Sequence, residues 1–253
     1  MTGNAYAHSI TNSNIDGDAY YYTNKTGTSV DGTSYPNSLD QPIIPLPITE
    51  ETIDGWEAQA AVNVTNCSGT LNLSGTITIG PRQYTCNVTI NSNSTITLAG
   101  PIWVIGNFTN NSNLNINISS TQSGKTIPII ADNPANRTTS SKIINSGNFD
   151  ANGYGANSYV MLLSRNNSAE LGGAQEAITN NSNMNDQGGG DLILYAGQGM
   201  IKINSNTDVN QLTGYKVDVN SNFDLVYQLG LANLIFTSGP GGTWDITNWL
   251  EIP

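Results

Sequence analysis

Apolar and polar residues alternate along several short stretches in the middle of the chain. In residues 71–79, 95–98 and 114–118, Leu and Ile alternate with Asn, Ser and Thr. Successive side chains of a β-strand point to opposite faces of its sheet, so a period of two places the apolar side chains on one face. The pattern predicts short β-strands that bury one face and leave the other in water.

Two other stretches are apolar at almost every position. Residues 159–163 and 192–195 carry Tyr, Val, Met, Leu and Ile without an alternating polar residue. Strands of this composition are typically buried on both faces. We therefore expect a loop or a helix to cover the outer face of these two strands.

One segment has the pattern of an amphipathic helix. Thr49 is a suitable N-cap, and the two glutamates that follow it suit the positive end of a helix dipole. Ile53, Trp56 and Ala60 would then share one face of the helix. We predict a helix over residues 49–61 that caps the open end of a β coil, where the terminal strands would otherwise expose core and an unpaired edge.

A short segment ending in Asn-Ser-Asn, or a close variant of it, recurs along the chain. Aligned on the last asparagine, its later copies are separated by 20, 35, 35, 23 and 16 residues. These intervals fit a coil with rungs (single turns) of ~20 residues and loops inserted into some of them. The predicted corner positions are Asn93, Asn113, Asn148, Asn183, Asn206 and Asn222.

Asparagine has two properties that suit such a corner. It tolerates the left-handed backbone conformation of a tight turn. Its amide can also hydrogen-bond to an asparagine in the rung above or below, at a spacing of ~4.8 Å. We therefore predict a ladder of stacked corner asparagines. The alternative is that Asn-Ser-Asn is only a common turn tripeptide in a chain that contains 36 asparagines.

Together these patterns predict an all-β fold: a right-handed parallel β-helix (β-solenoid) with one short capping helix and an N-terminal strand-repeat extension. Residues 1–40 carry Gly-x-Ala-Tyr elements at residues 3–6 and 17–20, with a weaker copy at 32–35. These elements would form either a smaller coil of their own or an extension.

The remaining boundaries follow from composition. Residues 41–61 would comprise a Pro-rich linker and the capping helix, since proline cannot join a central sheet. Residues 62–238 would form the β-solenoid. Residues 239–253 would leave it as a Gly-rich tail that packs Trp244 and Trp249 on the surface, or that offers them to a carbohydrate.

The charge of the chain excludes two classes of partner. Only 11% of residues are charged, the net charge is −11, and the eight basic residues form no cluster. A nucleic-acid partner requires a basic surface, and an anionic membrane would repel this chain. We expect no nucleic acid and no direct membrane contact, and the short apolar runs predict neither a transmembrane helix nor a signal peptide.

The two cysteines, Cys67 and Cys86, lie 19 residues apart, which is about one rung. In adjacent rungs they would be close enough for a disulfide, the expected state in an exported protein. Two free buried thiols are the alternative. The single histidine, His8, is far from both cysteines in sequence, so we expect no zinc site.

Catalysis has little support in the sequence. A Ser-His-Asp triad could use only His8, which we interpret as an exposed surface residue. Polysaccharide lyases and hydrolases with a β-helix group carboxylates with basic residues, whereas the 19 acidic residues here are dispersed. We expect no catalytic residue and no cofactor. A groove holding three or more carboxylates, or a basic residue beside carboxylates, would instead favour a glycan-active enzyme.

Calcium is the one metal for which the sequence offers weak candidates. Alternating side-chain oxygens can converge on a hard cation, although alternation in a strand also simply places polar groups on the wet face. The candidates are Asn14, Asp16 and Asp18 in one stretch and Asp218, Asn220, Asn222 and Asp224 in another.

Several segments resemble a family of bacterial surface proteins described as pilin-like or pilus-assembly proteins. The segments are the Gly-Asp-Ala-Tyr repeat, residues 45–48 before the Trp56 helix, and residues 76–80, 98–107, 230–233 and 238–244. Family members carry an N-terminal membrane-spanning helix followed by β-helical repeats, and this chain lacks that helix. The resemblance covers nearly the whole chain, implies an extracellular location on the bacterial cell surface, and carries no catalytic residues.

The leading hypothesis is an extracellular structural or adhesive protein (a stalk, adhesin, or pilus or filament component) that acts by non-covalent binding or self-assembly. Its partners would be copies of itself, surface or pilus proteins, or a cell-surface glycan. The alternatives are a glycan-active lyase or hydrolase and an ice- or glycan-binding module. Ice binding requires Thr-x-Thr rows in register, which Thr76, Thr78, Thr95 and Thr97 suggest.

Overall fold

The computed structural model describes residues 3–39, 46, 48–185 and 191–225. The chain divides into two compact units, Met1–Pro47 (unit 1) and Ile48–Pro253 (unit 2). The division falls within the segment predicted to be a linker. Most of that linker, the end of the predicted solenoid and the tail with Trp244 and Trp249 lie outside the described residues.

The described part of unit 1 contains seven short strands that follow one another closely. They are β1 (Ala5–Ala7), β2 (Ile10–Thr11), β3 (Asn14–Ile15), β4 (Ala19–Tyr21), β5 (Lys25–Thr26), β6 (Ser29–Val30) and β7 (Ser34–Pro36). β1, β4 and β7 form a parallel sheet, β2 pairs with β5, and β3 pairs with β6. The Gly-x-Ala-Tyr elements therefore form a coil of their own, one of the two arrangements that the repeat predicts.

Small side chains allow the rungs of unit 1 to be only 14 or 15 residues long. Ala5, Ile10, Ile15 and Ala19 form its core. A Cβ at Gly17 would lie 2.6 Å from the carbonyl oxygen of Gly3, so glycine permits the close approach of successive rungs.

Unit 2 begins with helix α1 (Glu50–Ala60) and continues with strands that recur in groups of three. The strands are β8 (Val64–Thr65), β9 (Thr70–Asn72), β10 (Gly75–Ile79), β11 (Arg82–Tyr84), β12 (Asn87–Ile90), β13 (Ser94–Leu98), β14 (Ile102–Val104), β15 (Phe108–Asn110), β16 (Leu114–Ile118), β17 (Ile127–Ala131), β18 (Ile143–Asn145), β19 (Phe149–Asn152), β20 (Val160–Ser164), β21 (Glu176–Asn180), β22 (Leu192–Ile203), β23 (Thr207–Val209), β24 (Gln211–Val219) and β25 (Phe223–Leu225). A 3₁₀ turn at Ser120–Gln122 interrupts the series.

All pairs between these strands are parallel, and each strand pairs with the equivalent strand of the next rung. Face A comprises β8, β11, β14, β17, β20 and the first halves of β22 and β24. Face B comprises β9, β12, β15, β18, β21 and the second halves of β22 and β24. Face C comprises β10, β13, β16 and β19, then Met184 as a bridge, then β23 and β25. This is a parallel, solenoid-like β fold.

The rung lengths agree with the intervals between the Asn-Ser-Asn segments. Along face B, Ile90, Asn110, Asn145, Asn180, Ile203 and Val219 pair in succession. Their separations are the 20, 35, 35, 23 and 16 residues read from the corner asparagines. The two long rungs hold inserted loops between faces A and B, at residues 132–142 and 165–175.

The core of unit 2 runs through the inside of the coil. The alternating Leu and Ile residues of β13 and β16 point into it, and those of β9 and β10 pack against it, which confirms the interpretation of the period-two pattern. Strands β17 and β20 are buried at every position. Their outward side chains therefore require a second covering layer.

Helix α1 provides that layer. Thr49 is its N-cap and accepts a hydrogen bond from the Thr52 amide, as the capping pattern predicts. Ile53 and Trp56 pack against the outward side chains of face A, among them Ile130, Met161 and Tyr195. The sequence predicts a loop or a helix over the strands that are apolar on both faces, and the helix is the element that covers them.

The prediction that the helix caps the open end of the coil is wrong. Its apolar residues form a separate cluster against the side of face A, whereas the core inside the coil is a different cluster. The physical reason is that the outward side chains of β17, β20 and the first half of β22 are apolar and would face water without the helix. Among the described residues, no helix is long and apolar enough to cross a membrane.

Cys67 and Cys86 form a disulfide, with their Cα atoms 5.4 Å apart. The bond joins the turn after β8 to the turn after β11, so it links the first rung of the coil to the second.

We expect the double substitution of Cys67 and Cys86 by serine to lower the free energy of unfolding by about 3 kcal/mol, because the bridge closes a loop of 19 residues in the unfolded chain. Urea denaturation of the oxidised protein and the variant measures this. Two thiols that react with a maleimide in the denatured, unreduced protein would contradict the pairing.

Candidate functional site

The asparagines predicted to form the corner ladder lie on an exposed or half-buried ridge between faces B and C. Hydrogen bonds between side-chain amides join Asn183, Asn206 and Asn222 in succession, with donor–acceptor distances of 3.4 and 3.3 Å. In the earlier rungs, serine hydroxyls bond instead to the amide oxygens of Asn93 and Asn148. Within the described residues, the predicted positions therefore make a continuous ladder of side-chain amides only in the rungs of Asn183, Asn206 and Asn222.

The backbone argument for these asparagines is wrong. The non-glycine residues with a positive φ in the described chain are Asn12, Asn37, Ser141, Asn157 and Asn185, and no predicted corner position is among them. The corner does not require a left-handed residue. Its tightness depends on small side chains instead: a Cβ at Gly147 would lie 2.0 Å from the carbonyl oxygen of Ser112 in the rung below.

A second asparagine ladder is buried inside the coil, three positions before the predicted one. The Nδ2 atom of Asn110 donates to Oδ1 of Asn145 (2.8 Å), and Nδ2 of Asn145 donates to Oδ1 of Asn180 (2.7 Å). Asn180 in turn donates to the Thr207 hydroxyl (2.6 Å). The three asparagines are at most 2% exposed. Each buried amide thus finds its partner along the coil axis.

The buried polar group lies before the corner in some rungs and after it in others. In the rungs of Asn110 and Asn180, the Oδ1 atom of that asparagine accepts a hydrogen bond from the corner backbone, as Asn110 does from the Ser112 amide. In the rungs of Ile90 and Ile203, a hydroxyl of the next strand donates to a corner carbonyl instead, as Ser94 does to Ser92. In these four rungs one polar side chain thus bonds to the backbone of the corner.

A cluster of charged residues joins helix α1 to the coil. Glu50, Asp54 and Glu57 lie on one side of the helix, at intervals of four and three residues. All three contact the guanidinium of Arg165, which follows β20: Nη1 lies 2.6 Å from Asp54 and 3.2 Å from both oxygens of Glu57, and Nη2 bonds to Glu50.

Asp132 is the fully buried member of the same cluster. Arg137 binds it through two hydrogen bonds of 2.8 and 2.7 Å, and Arg165 Nη1 lies 3.5 Å away. Four carboxylates thus share two arginines. The set has the composition expected of a glycan-active site, but it lies between helix α1 and the coil, and of its four carboxylates only Glu50 and Asp54 keep substantial contact with solvent. It lies in a packed contact rather than in a groove.

The pKa of Glu57 is shifted by its burial and by another carboxylate of the cluster. Burial and the neighbouring charge of Asp132 raise its pKa to about 8, although Arg165 acts in the opposite direction. In the folded protein Glu57 therefore keeps a proton at neutral pH, and the pair Glu57–Asp132 avoids facing Arg165 as two full negative charges.

Four of the seven calcium candidates hydrogen-bond to protein groups in a neighbouring rung, and Asp16 is exposed. Asn14 and Asp18 bond to the next rung of unit 1, through the Ser29 hydroxyl and the Thr33 amide. Asp218 lies on face B and Asp224 on face C, so the corner separates them, and the amides of Asn220 and Asn222 donate to the rung below. Within the described ranges, no group of three or more His, Cys, Asp and Glu residues is placed to hold a metal ion.

Face C carries two rows of polar side chains on its open side. The first row is Thr76, Thr95, Asn115 and Asp150, and the second is Thr78, Thr97, Asn117 and Asn152. A shallow groove runs between the first row and the corner asparagines. The Thr-x-Thr rows are in register for two rungs, after which Asn and Asp replace threonine.

Unit 1 carries an aromatic array that the sequence interpretation missed. Tyr6, Tyr20 and Tyr35 stack with ring centroids 4.5 and 4.6 Å apart and with ring planes within 8° of parallel. Beside them, Tyr22 lies 5.4 Å from the ring of His8. The available signal was the tyrosine that closes each Gly-x-Ala-Tyr element, because equal positions in a parallel coil stack. His8 is exposed, as predicted.

Comparison of the chain with protein-family models, with curated proteins and with solved structures gives no match. The resemblance to pilin-like proteins therefore stays a prediction.

Replacing Asn145 with alanine should destabilise the protein strongly, since it leaves the amide of Asn110 and the carbonyl of Asn180 without their ladder partner. Each such group costs about 1–3 kcal/mol. Asn111→Ala removes an exposed side-chain amide next to Asn110, in the rung before Asn145. It should change the free energy of unfolding by less than about 0.5 kcal/mol. Equal losses in urea denaturation for the two variants would contradict a structural role of the buried ladder.

The stability of the protein should fall as the pH rises from about 4.5 to about 8. Between the ordinary pKa of Glu57, 4.5, and its folded value of about 8, the folded state holds a proton that the unfolded state releases. The free energy of unfolding then decreases with pH by up to about 1.4 kcal/mol per unit. Chemical denaturation at a series of pH values measures the slope.

Two variants identify the group responsible. Glu57→Gln mimics the protonated acid and should flatten the pH dependence in this window. Glu51→Gln, on the same helix but outside the cluster, should retain it. A slope unchanged by Glu57→Gln would show that other groups cause it.

Proposed function

We propose that this protein is an extracellular structural or adhesive protein of a bacterial surface, acting by non-covalent binding. Its larger unit would be a right-handed parallel β-helix. The observation that carries the proposal is the use of polar side chains in unit 2: the buried asparagine ladder, the corner ladder and the disulfide all tie one rung to the next. Such features give rigidity rather than reactivity.

The size of the coil narrows the choice between a stalk and a binding unit. In the part of unit 2 that the structure describes, seven rungs at a spacing of about 4.8 Å give a length of about 30 Å, which is only the diameter of a small domain. A coil of this length makes a poor spacer. We favour a rigid binding head, or a subunit that repeats along a filament, over a long stalk formed by one chain.

An enzymatic role is the second candidate, and only the Arg165 cluster favours it. Glu57 has a pKa suited to a general acid at neutral pH. However, its carboxylate is 8% exposed and is held by Arg165 between helix α1 and the coil. A substrate would have to separate the helix from the coil to reach it, so we assign the cluster to structural support.

Two measurements test the proposal. Antibodies against the purified protein should label intact cells of the source organism; labelling that requires permeabilised cells would contradict the surface location. Electron microscopy of the protein over a range of concentrations then distinguishes a filament subunit from a binding head. Filaments would indicate a repeating subunit. Monodisperse particles at high concentration would exclude self-assembly and favour the rigid binding head.

A further inference from the structure

The sheet formed by β1, β4 and β7 presents a regular grid of side chains on its outer face. The central row is the stacked Tyr6, Tyr20 and Tyr35. His8 and Tyr22 follow on one side, and Asn4, Asp18 and Thr33 lie on the other. We call these eight residues the tyrosine platform. Tyr6, Tyr22 and Tyr35 are 52%, 48% and 41% exposed.

The platform is held in place before any ligand arrives. Each ring of the central row is fixed by its neighbours, and the Tyr20 hydroxyl donates to Asp18 (3.4 Å). Asn4 and Asp18 are fixed in turn, since their oxygens accept from the backbone of the next rung at 2.9 and 2.8 Å. A preorganised surface loses little conformational entropy on binding.

The chemistry of the platform is amphipathic but nearly uncharged. It offers ring edges, a row of phenol hydroxyls and the ring of Tyr22, with the carboxylate of Asp18 at one border. Tyrosine suits surfaces that bind both apolar and hydroxylated groups. The net charge of −11 disfavours a polyanion. A neutral chain with C–H surface and many hydroxyls complements these groups.

The dimensions of the platform favour a narrow partner. Three rungs span about 10 Å along the coil, and the grid spans about 13 Å across it, which gives an area of about 130 Å². A stable protein–protein interface needs about 800 Å² on each partner. The platform is too small for a folded protein and is wide enough for one polysaccharide chain.

We propose that the tyrosine platform of unit 1 binds a neutral glycan, whose sugar C–H groups pack against the rings and whose hydroxyls bond to the phenols and to Asp18. This inference rests on the adhesive role proposed above and names its ligand class. Many copies displayed on one surface would convert weak single contacts into firm attachment.

The test uses the full chain and defined polysaccharides: insoluble cellulose and chitin as neutral glycans, and polygalacturonate as an anionic one. We expect binding to at least one neutral glycan and none to the anionic one. Tyr22→Ala and Tyr6→Ala should each weaken binding about tenfold. Tyr154→Ala and Tyr215→Ala, at exposed tyrosines of unit 2, are the matched controls and should bind normally.

Circular dichroism verifies that each variant is folded, and Tyr22→Ala leaves the three-ring stack intact. Binding to neither neutral glycan, or binding that the platform variants do not change, would overturn the proposal. So would attachment to cells that survives periodate oxidation of their glycans and is abolished by protease, because the partner would then be a protein. None of these results would affect the surface labelling that tests the adhesive role itself.

Discussion

Every side chain in a parallel coil lies about 4.8 Å from the side chain at the same position one rung away. A buried polar group must therefore find its hydrogen-bond partner along the axis, or within its own corner. Asn110, Asn145 and Asn180 meet this constraint by donating in one direction, and the Thr207 hydroxyl ends the series. Apolar Ile90 and Ile203 occupy the same position in the flanking rungs. In those rungs the hydroxyls of Ser94 and Thr207 donate hydrogen bonds to the corner backbone instead.

The same stacking explains the aromatic face of unit 1. A tyrosine at one position of a 14- or 15-residue repeat becomes a column of parallel rings, because the repeat alone places successive tyrosines above one another. In unit 2 the equivalent columns are threonine and asparagine on face C. One backbone arrangement thus gives two chemically different surfaces, and the choice of residue at a single repeated position decides which.

The side of the coil is governed by a different interaction. Strands β17, β20 and β22 are apolar on both faces, so helix α1 is required to cover Ile130, Met161 and Tyr195. The helix also brings three carboxylates against Arg165, and the fully buried Asp132 depends on Arg137 and Arg165 for its charge balance. Docking of the helix couples the stability of unit 2 to the protonation of Glu57.

Local patterns in the sequence were sufficient for the alternating and the fully apolar strands, the rung lengths, the helix and its apolar face, because alternation, capping and repeat intervals act over a few residues or recur at regular spacing. The position of the helix, the inner asparagine ladder and the Arg165 cluster were not predictable in this way. Asn110 and Asn113 look alike in the sequence, and only the direction of the corner decides which one is buried. Glu57 and Arg165 are 108 residues apart, and nothing short of the folded coil brings them together.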